Sequence, residues 1–414
     1  MNFHILRIAF SNIMKHRRRT FFNVITFMAN SIALLLVIGM IRGMYNQAFE
    51  RTIELDTGHF KVYNRAYAED RQKMPIEYNI RNPYEVIEAI KGIPHFVAAA
   101  PRIQKFAVLS DFRKKTNVMM TGVDMEAEIK AMKTLERVPR EAWLPRAGGK
   151  VLIGKKLASL MAAEPGDAML LYSQTVHKAN NLADIEVAGH YTSGFAKMEK
   201  SVIFVPFGFA SEFLDMDGAA TEIVVRIEDK MYILDAKRKI ESILAEKFPD
   251  LTVRDWTQEA AGLIEGAKAD FVSYSVLFAI LLFLAVFIIT NTLTITVFER
   301  TAEIGTLRAI GMERGQIGWM FMWEGLLLSL GGAIAGGLIS IPIAIYMNTV
   351  GITYPPEFAD KMPFPIESMT SKNDWTDWLI VALVCLVTGV IGALKPAKRA
   401  ADTNIVEALK KGVR

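Results

Sequence analysis

The sequence predicts an α-helical membrane protein with four transmembrane helices and a large extracytoplasmic α+β domain inserted between helices 1 and 2. Three observations predict it. Four apolar stretches approach or exceed the ~20 helical residues that cross a ~30 Å hydrocarbon core. Lysine and arginine gather in both tails. The long segment between the first two stretches has a strand–helix–strand rhythm. The overall balance agrees: 51% hydrophobic residues is high for a soluble protein and modest for a chain made only of spans.

Residues 1–20 contain "NFHILRIAFSNIMK", with Ile5, Ile8, Ala9 and Ile13 on one side, followed by "KHRRR". This suits an amphipathic elbow helix on the inner leaflet; the plain basic flank of a start-anchor gives the same topology. Residues 21–43 hold "FFNVITFMANSIALLLVIGM". The run is too long for a signal peptide and no small-residue cleavage site follows, so it is expected to be a retained anchor.

Residues 44–270 are long enough to form a domain. "GHFKVYN", "PYEVIEAIKGI" and "AAAPRIQKFAVLS" form one strand–helix–strand unit, and "TEIVVRIED", "YILDAKRKIESILAEKF" and "LTVRDW" another. They predict a split α/β module, with a β-rich subdomain inserted at about 118–213. Residues 271–298 form the second span, 317–347 the third, 348–377 a short outer loop and 378–394 the fourth, belted by Trp375 and Trp378. Residues 395–414 are a tail.

Topology follows from charge. The N-terminal tail holds Arg7, Lys15, Arg17, Arg18 and Arg19; the C-terminal tail holds Lys395, Lys398, Arg399, Lys410, Lys411 and Arg414. The outer loop has only Lys361 and Lys372 against Glu357, Asp360, Glu367, Asp374 and Asp377. Both termini and the 299–316 connection are therefore expected in the cytoplasm. The net charge of +4 is too small to suggest a nucleic-acid partner.

Enzymatic readings find little support. The single cysteine, Cys385, excludes an internal disulfide framework. "GKVLIGKK", Gly149–Lys156, imitates a phosphate loop, but Lys156 stands where Ser or Thr would hold Mg²⁺. Ser173, His177 and Asp184 suit a polar loop better than a triad, and His59, His95 and His190 are isolated. No catalytic, cofactor or metal residue is expected.

Inside the membrane, Gly332, Gly336 and Ser340 give overlapping small-xxx-small spacings that let helices approach closely. Glu324 is an intramembrane acid near the cytoplasmic end of span three, where water, Arg300 or Arg308 could reach it, and a structural ion pair or hydrogen bond is expected ahead of a proton relay. "TNTLTITV" in span two is polar, but its threonines can bond back to the preceding turn.

Between spans two and three lies "ERTAEIGTLRAIGMERGQI", a mixed-charge stretch whose Ile304, Leu307 and Ile310 suggest one helical stripe. "FERTAEIGTLRAIGMERGQIGWMFMWEGLLLSLGGAIAGG" resembles the FtsX-like permease domain of the MacB/LolC/LolE class of ABC transporters. "GALKPAKRAADTNIVEALKKG" is similar to that class's C-terminal signature, with a proline ending the last span, and "MKHRRRT" fits before span one. "VLIGKKLASLMAAEPGD" and "SVIFVPFGFASEFLDM" look like the lipoprotein-releasing LolC/LolE branch.

The resemblance implies a permease that burns no ATP itself. Residues 299–316 would be a coupling helix gripped by a separate cytoplasmic ABC ATPase dimer that holds ATP and Mg²⁺. Ile304, Leu307 and Ile310 would supply apolar contact, Glu303 and Arg308 orientation, Gly305 close approach, and Gly311 the helix end. A second permease, identical or related, would complete the assembly. The cargo would be inner-membrane lipoproteins passed to a periplasmic carrier. MacB-like efflux of drugs or peptides, or FtsX-type signalling, are the alternatives.

Overall fold

The computed structural model describes residues 2–15, 17–353, 355, 368–405 and 408. Several charges used for the topology, namely Glu357, Asp360, Lys361, Glu367, Lys410, Lys411 and Arg414, lie outside them. Among the described residues, four helices are long and apolar enough to cross a membrane, with an α+β domain between the first and second. The chain divides into two compact units. One combines Met1–Tyr45, Ala267–Thr353 and Ser368–Arg414; the other is Asn46–Gly266 with Tyr354–Glu367.

The second unit is built on nine strands: β1 Phe60–Asn64, β2 Phe96–Ser110, β3 Lys115–Val123, β4 Lys150–Gly154, β5 Ala168–Gln174, β6 Asn180–Tyr191, β7 Val202–Pro206, β8 Glu222–Ile227 and β9 Leu251–Asp255. They run β3-β7-β4-β6-β5-β2-β8-β1-β9, and β3 also pairs with β2. That extra pairing closes β2-β3-β7-β4-β6-β5 into a ring. Alternation fills it: Met169 and Leu171 of β5 are buried while Tyr172 is exposed. Ile103, Leu109, Met120, Ile153, Val187 and Ile203 join the same core. A second core lies where helices Pro83–Ile90 and Ile233–Lys247 bury Val86, Ile90, Ile240 and Leu244 with Val62, Ile223 and Val225.

The β-rich segment expected at 118–213 is not free-standing, because it borrows β2. The first half of that strand pairs with β8 from Ala98↔Arg226 to Arg102↔Glu222. The second half pairs with β3 from Arg102↔Val123 to Ser110↔Lys115. One long strand serves two cores, and nothing in its pattern marks where the partner changes.

In the membrane unit the helices outrun their apolar stretches. They span Arg17–Thr52, Ala261–Glu299, Arg314–Thr349 and Trp375–Ala401. Backbone hydrogen bonding continues into water, whereas hydropathy marks only the lipid-embedded part. The fourth helix passes through Pro396 instead of ending there. Proline removes the bond to the carbonyl four residues earlier, here Gly392, and the Thr290 hydroxyl of span two donates to that oxygen at 3.0 Å.

The elbow helix, Asn2–Lys15, buries Ile5 and Ala9 in a core with Ile317, Met320 and Phe321. Asn12 Nδ2 reaches Met320 Sδ at 3.6 Å. The expected apolar side is therefore split: Ile5 and Ala9 face protein, while Ile8, with Phe10 and Met14, is exposed.

The glycine stripe of span three faces span one of the same chain. A Cβ on Gly332 would stand 3.0 Å from Met28 N and Val24 O; on Gly336 it would lie 2.6 Å from Met28 O and 2.8 Å from Ser31 Cβ. Ser340 is buried and donates to Gly337 O at 2.9 Å.

Candidate functional site

The connection between spans two and three folds around one buried cation. Span two ends at Glu299, and Arg300 turns the chain at φ −99° and ψ 15°. A nine-residue helix follows, Thr301–Ala309. Gly311 at φ +104° then turns the chain, a conformation glycine adopts without steric cost. Glu313 opens the next helix with a capping box, its side chain accepting from the Gln316 backbone while Gln316 Oε1 accepts from Glu313 N at 3.0 Å.

Arg300 is 4% exposed. Its Nη1 donates to Glu324 Oε1 at 2.8 Å and its Nε to Glu303 Oε2 at 2.8 Å. The guanidinium also lies 5.8 Å from the centre of the Phe321 ring. Burial disfavours its charge, but the Glu324 and Glu303 carboxylates outweigh that and push its pKa up. The intramembrane acid is thus an ion-pair partner that fastens this short helix to span three.

The three apolar residues do not form one stripe. Ile304 is fully buried among Val297, Ile317, Met320 and Ala397. Leu307 and Arg308 are half-buried, and Ile310 is 76% exposed. A three-residue spacing falls short of the 3.6-residue turn, so each step swings the side chain further around the axis. Ile304 is turned inward and is not available to a partner. Glu303 keeps a 58% exposed side chain, and Gly305 is buried at the same inner level as Ile304. The helix is also shorter than 299–316: residues 310–313 are turn and cap, and Arg314 already belongs to span three.

Ties at the opposite end of the spans escaped sequence reasoning. Arg42 Nη1 of span one pairs with Asp374 Oδ2 at 2.5 Å and Asp377 Oδ2 at 2.8 Å. Tyr45 donates to Asp270 Oδ2 at 2.5 Å. The signal was present as charged residues just beyond apolar runs, but their pairing needs tertiary contact. In the α+β domain, Lys61 and Arg102 are buried with Glu222 and Glu128: Lys61 Nζ lies 3.1 Å from Glu222 Oε1, and Arg102 Nε donates to Glu128 Oε2 at 3.0 Å. The phosphate-loop lookalike is strand β4 running directly into helix Lys155–Met161.

Comparison with known proteins covers most of the chain. Residues 20–243 match the MacB-like periplasmic core domain, and residues 275–405 match the FtsX-like permease C-terminal region. The lipoprotein-releasing system transmembrane protein LolC of Xylella fastidiosa is 24% identical over 332 residues, covering 77% of this chain and 78% of that one. LolC of Neisseria meningitidis is 22% identical over 346 residues, covering 80% and 81%. The macrolide export ATP-binding/permease protein MacB 2 of Aeromonas hydrophila is 20% identical over 414 residues, covering 97% of this chain and 60% of that one. With a MacB-like periplasmic core followed by an FtsX-like permease region, the chain belongs to the MacB-type family of ABC transporter permeases.

Proposed function

We propose that this permease works by transmitting force. A separate cytoplasmic ATPase dimer, holding ATP and Mg²⁺, grips residues 303–311. The movement passes through the spans to the periplasmic domains, which extract an acylated lipoprotein from the bacterial inner membrane and hand it to a periplasmic carrier. A second permease completes the assembly, and both termini lie in the cytoplasm.

The observation that carries this reading is the two-sided build of helix Thr301–Ala309. Ile304 and the Arg300–Glu324 pair anchor its inner side, while Glu303 is exposed in its first turn and Ile310 stands exposed just past its last residue. A helix resting on lipid needs no buried ion pair to fix it, and its acids would be unfavourable against an anionic leaflet. A helix that receives a push must be stiffly joined to the next span and must offer an anchor residue outward. Leu307 and Ile310 supply that anchor, Glu303 and Arg308 set orientation, and Gly311 ends the docking element.

The test is co-purification with the partner ATPase from native membranes. Ile310→Asp should lose the ATPase while the permease keeps its yield; retention at wild-type level would sink the handle. Depletion of the permease should strand lipoproteins in the inner membrane. The alignment with a macrolide exporter over 97% of the chain favours efflux as the second reading. Normal lipoprotein sorting with raised drug sensitivity would select it. Full function with no ATPase bound would select a signalling role.

A further inference from the structure

The elbow helix Asn2–Lys15 carries two apolar faces, and its own chain covers only one of them. Ile5, Ala9 and Asn12 are buried against span three. Leu6, Phe10 and Met14 lie about 100–180° around the axis from Ile5 at 3.6 residues per turn. Phe10 and Met14 are exposed and Leu6 is half-buried. Between this second face and span three runs a cleft of about 350 Å³. Leu6, Phe10, Leu327 and the carbon stem of Arg7 form its walls, and no polar atom lines it.

The mouth of the cleft is cationic. Arg7 is exposed, and among the described residues its guanidinium has neither an ion-pair nor a hydrogen-bond partner. Lys15, Arg17 and Arg18, exposed as well, follow where the elbow turns into span one. No free carboxylate opposes them from the two helices that form the cleft. The elbow helix has no acidic residue, and Glu324, the one acid of helix Arg314–Thr349, is buried on Arg300. Leu327 lies three residues, about 4.5 Å along the helix, beyond Glu324. The cleft therefore leads from the charged end of span three into its apolar part. A slot without polar atoms offers water no hydrogen bond, and it is too small for a helix, which is about 10–12 Å across with its side chains. A carbon-lined slot beneath a free positive charge matches an acyl chain joined to an anionic head.

We propose that one anionic phospholipid of the bilayer is seated here, its acyl chain between the elbow helix and span three and its phosphate on Arg7. This is a single bound lipid, distinct from the general contact of basic residues with a leaflet. Ile5 and Ala9 share a core with Ile304, so the seated lipid braces the support of helix Thr301–Ala309. Neither the ATPase nor the cargo enters the inference.

Native mass spectrometry tests it on the full chain, delipidated in detergent and titrated with phosphatidylglycerol or phosphatidylcholine. The wild type should retain one phosphatidylglycerol, bound about fivefold more tightly than phosphatidylcholine, the worth of one basic residue beside an anionic lipid. Arg7→Ala should bind the two lipids alike. Leu327→Trp, which fills the cleft, should lower retention of both. Lys372→Ala, which removes an exposed cation at the other end of the spans, should change nothing. Phosphatidylglycerol should also raise the unfolding midpoint of the wild type but not of Arg7→Ala, because a ligand of the native state stabilises it; inorganic phosphate should leave the midpoint where it was. Equal retention of the two lipids by the wild type, an unchanged preference in Arg7→Ala, or the same rise with inorganic phosphate would overturn the site. So would an acylated polypeptide held in place of the phospholipid. Arg7 is exposed, so its variant decides the matter even if Leu327→Trp misfolds. No ATPase takes part in either measurement, and failure here leaves the docking of Ile310 untouched.

Discussion

Arg300 Nη1 donates to Glu324 Oε1 at 2.8 Å, with both side chains 5% exposed or less. This pair bolts the start of helix Thr301–Ala309 to span three. Removing one partner of a buried ion pair leaves an uncompensated charge and costs about 3–5 kcal/mol, whereas replacing both with apolar groups is often nearly neutral. Glu324→Leu should therefore lower the thermal midpoint of the purified chain markedly. The double variant Arg300→Met with Glu324→Leu should recover most of the loss. A double-mutant cycle on unfolding midpoints checks this, and equal damage in single and double variants would refute the pairing.

Ile304 and Ile310 should respond oppositely to charge. Ile304→Asp buries a carboxylate within an apolar core, so yield and monodispersity of the permease should collapse. Ile310→Asp changes an exposed side chain and should shift stability by about 0.5 kcal/mol or less, while ATPase capture falls at least tenfold. Size-exclusion profiles with quantified pull-down separate the two.

Span one and span three should part when the contact glycines gain methyl groups. Gly332→Ala and Gly336→Ala meet backbone of Val24 and Met28 at 3.0 Å or less, whereas the nearest atom for Gly331→Ala is Val24 Cγ2 at 4.0 Å. Overpacking of this kind costs about 1–3 kcal/mol. The first two should lower the unfolding midpoint in detergent and the third should leave it unchanged. Three equal responses would contradict the packing.

His59 gives the β1–β8 region a pH dependence. Burial, aided by the Arg226 charge, lowers its pKa from 6.5 to about 4 against the opposing pull of Glu50 and Asp229. The neutral ring is also required by geometry, since Ile227 N–H donates to Nδ1 at 3.4 Å. The unfolded chain binds the extra proton between these two pKa values, so stability is fully present above pH 6.5 and is lost as pH falls toward 4. The loss is on the order of 3 kcal/mol at most. Hydrogen exchange of β1 and β8 amides, corrected for intrinsic rate, should show protection falling over that window in the wild type. His59→Gln should flatten it.

Much of this was legible without coordinates because it depends on local composition. Four apolar runs, the alternation in β5 and the helical period of Ile233–Lys247 each carry their own signature. The Arg300–Glu324 pair was partly legible: Glu324 near the end of span three had Arg300 and Arg308 as candidate partners, and only packing chose Arg300. The facing of Ile304 and Ile310 was not, because a three-residue spacing is compatible with either face until the helix is docked. The sharing of β2 was hidden because a strand's pattern records which side is buried, not which neighbour it pairs with.

What the sequence alone determined is the order of elements: four spans, an α+β domain between the first two, and a short charged connection between the second and third. Hydropathy and periodicity are properties of neighbours along the chain, so they survive without a fold. Only the tertiary structure decided that Gly332 and Gly336 meet span one, that Thr290 answers the carbonyl freed by Pro396, and that Leu6, Phe10 and Leu327 wall one cleft. Those outcomes depend on which helix lies beside which, and burial and hydrogen-bond satisfaction fix that only when all the spans pack at once.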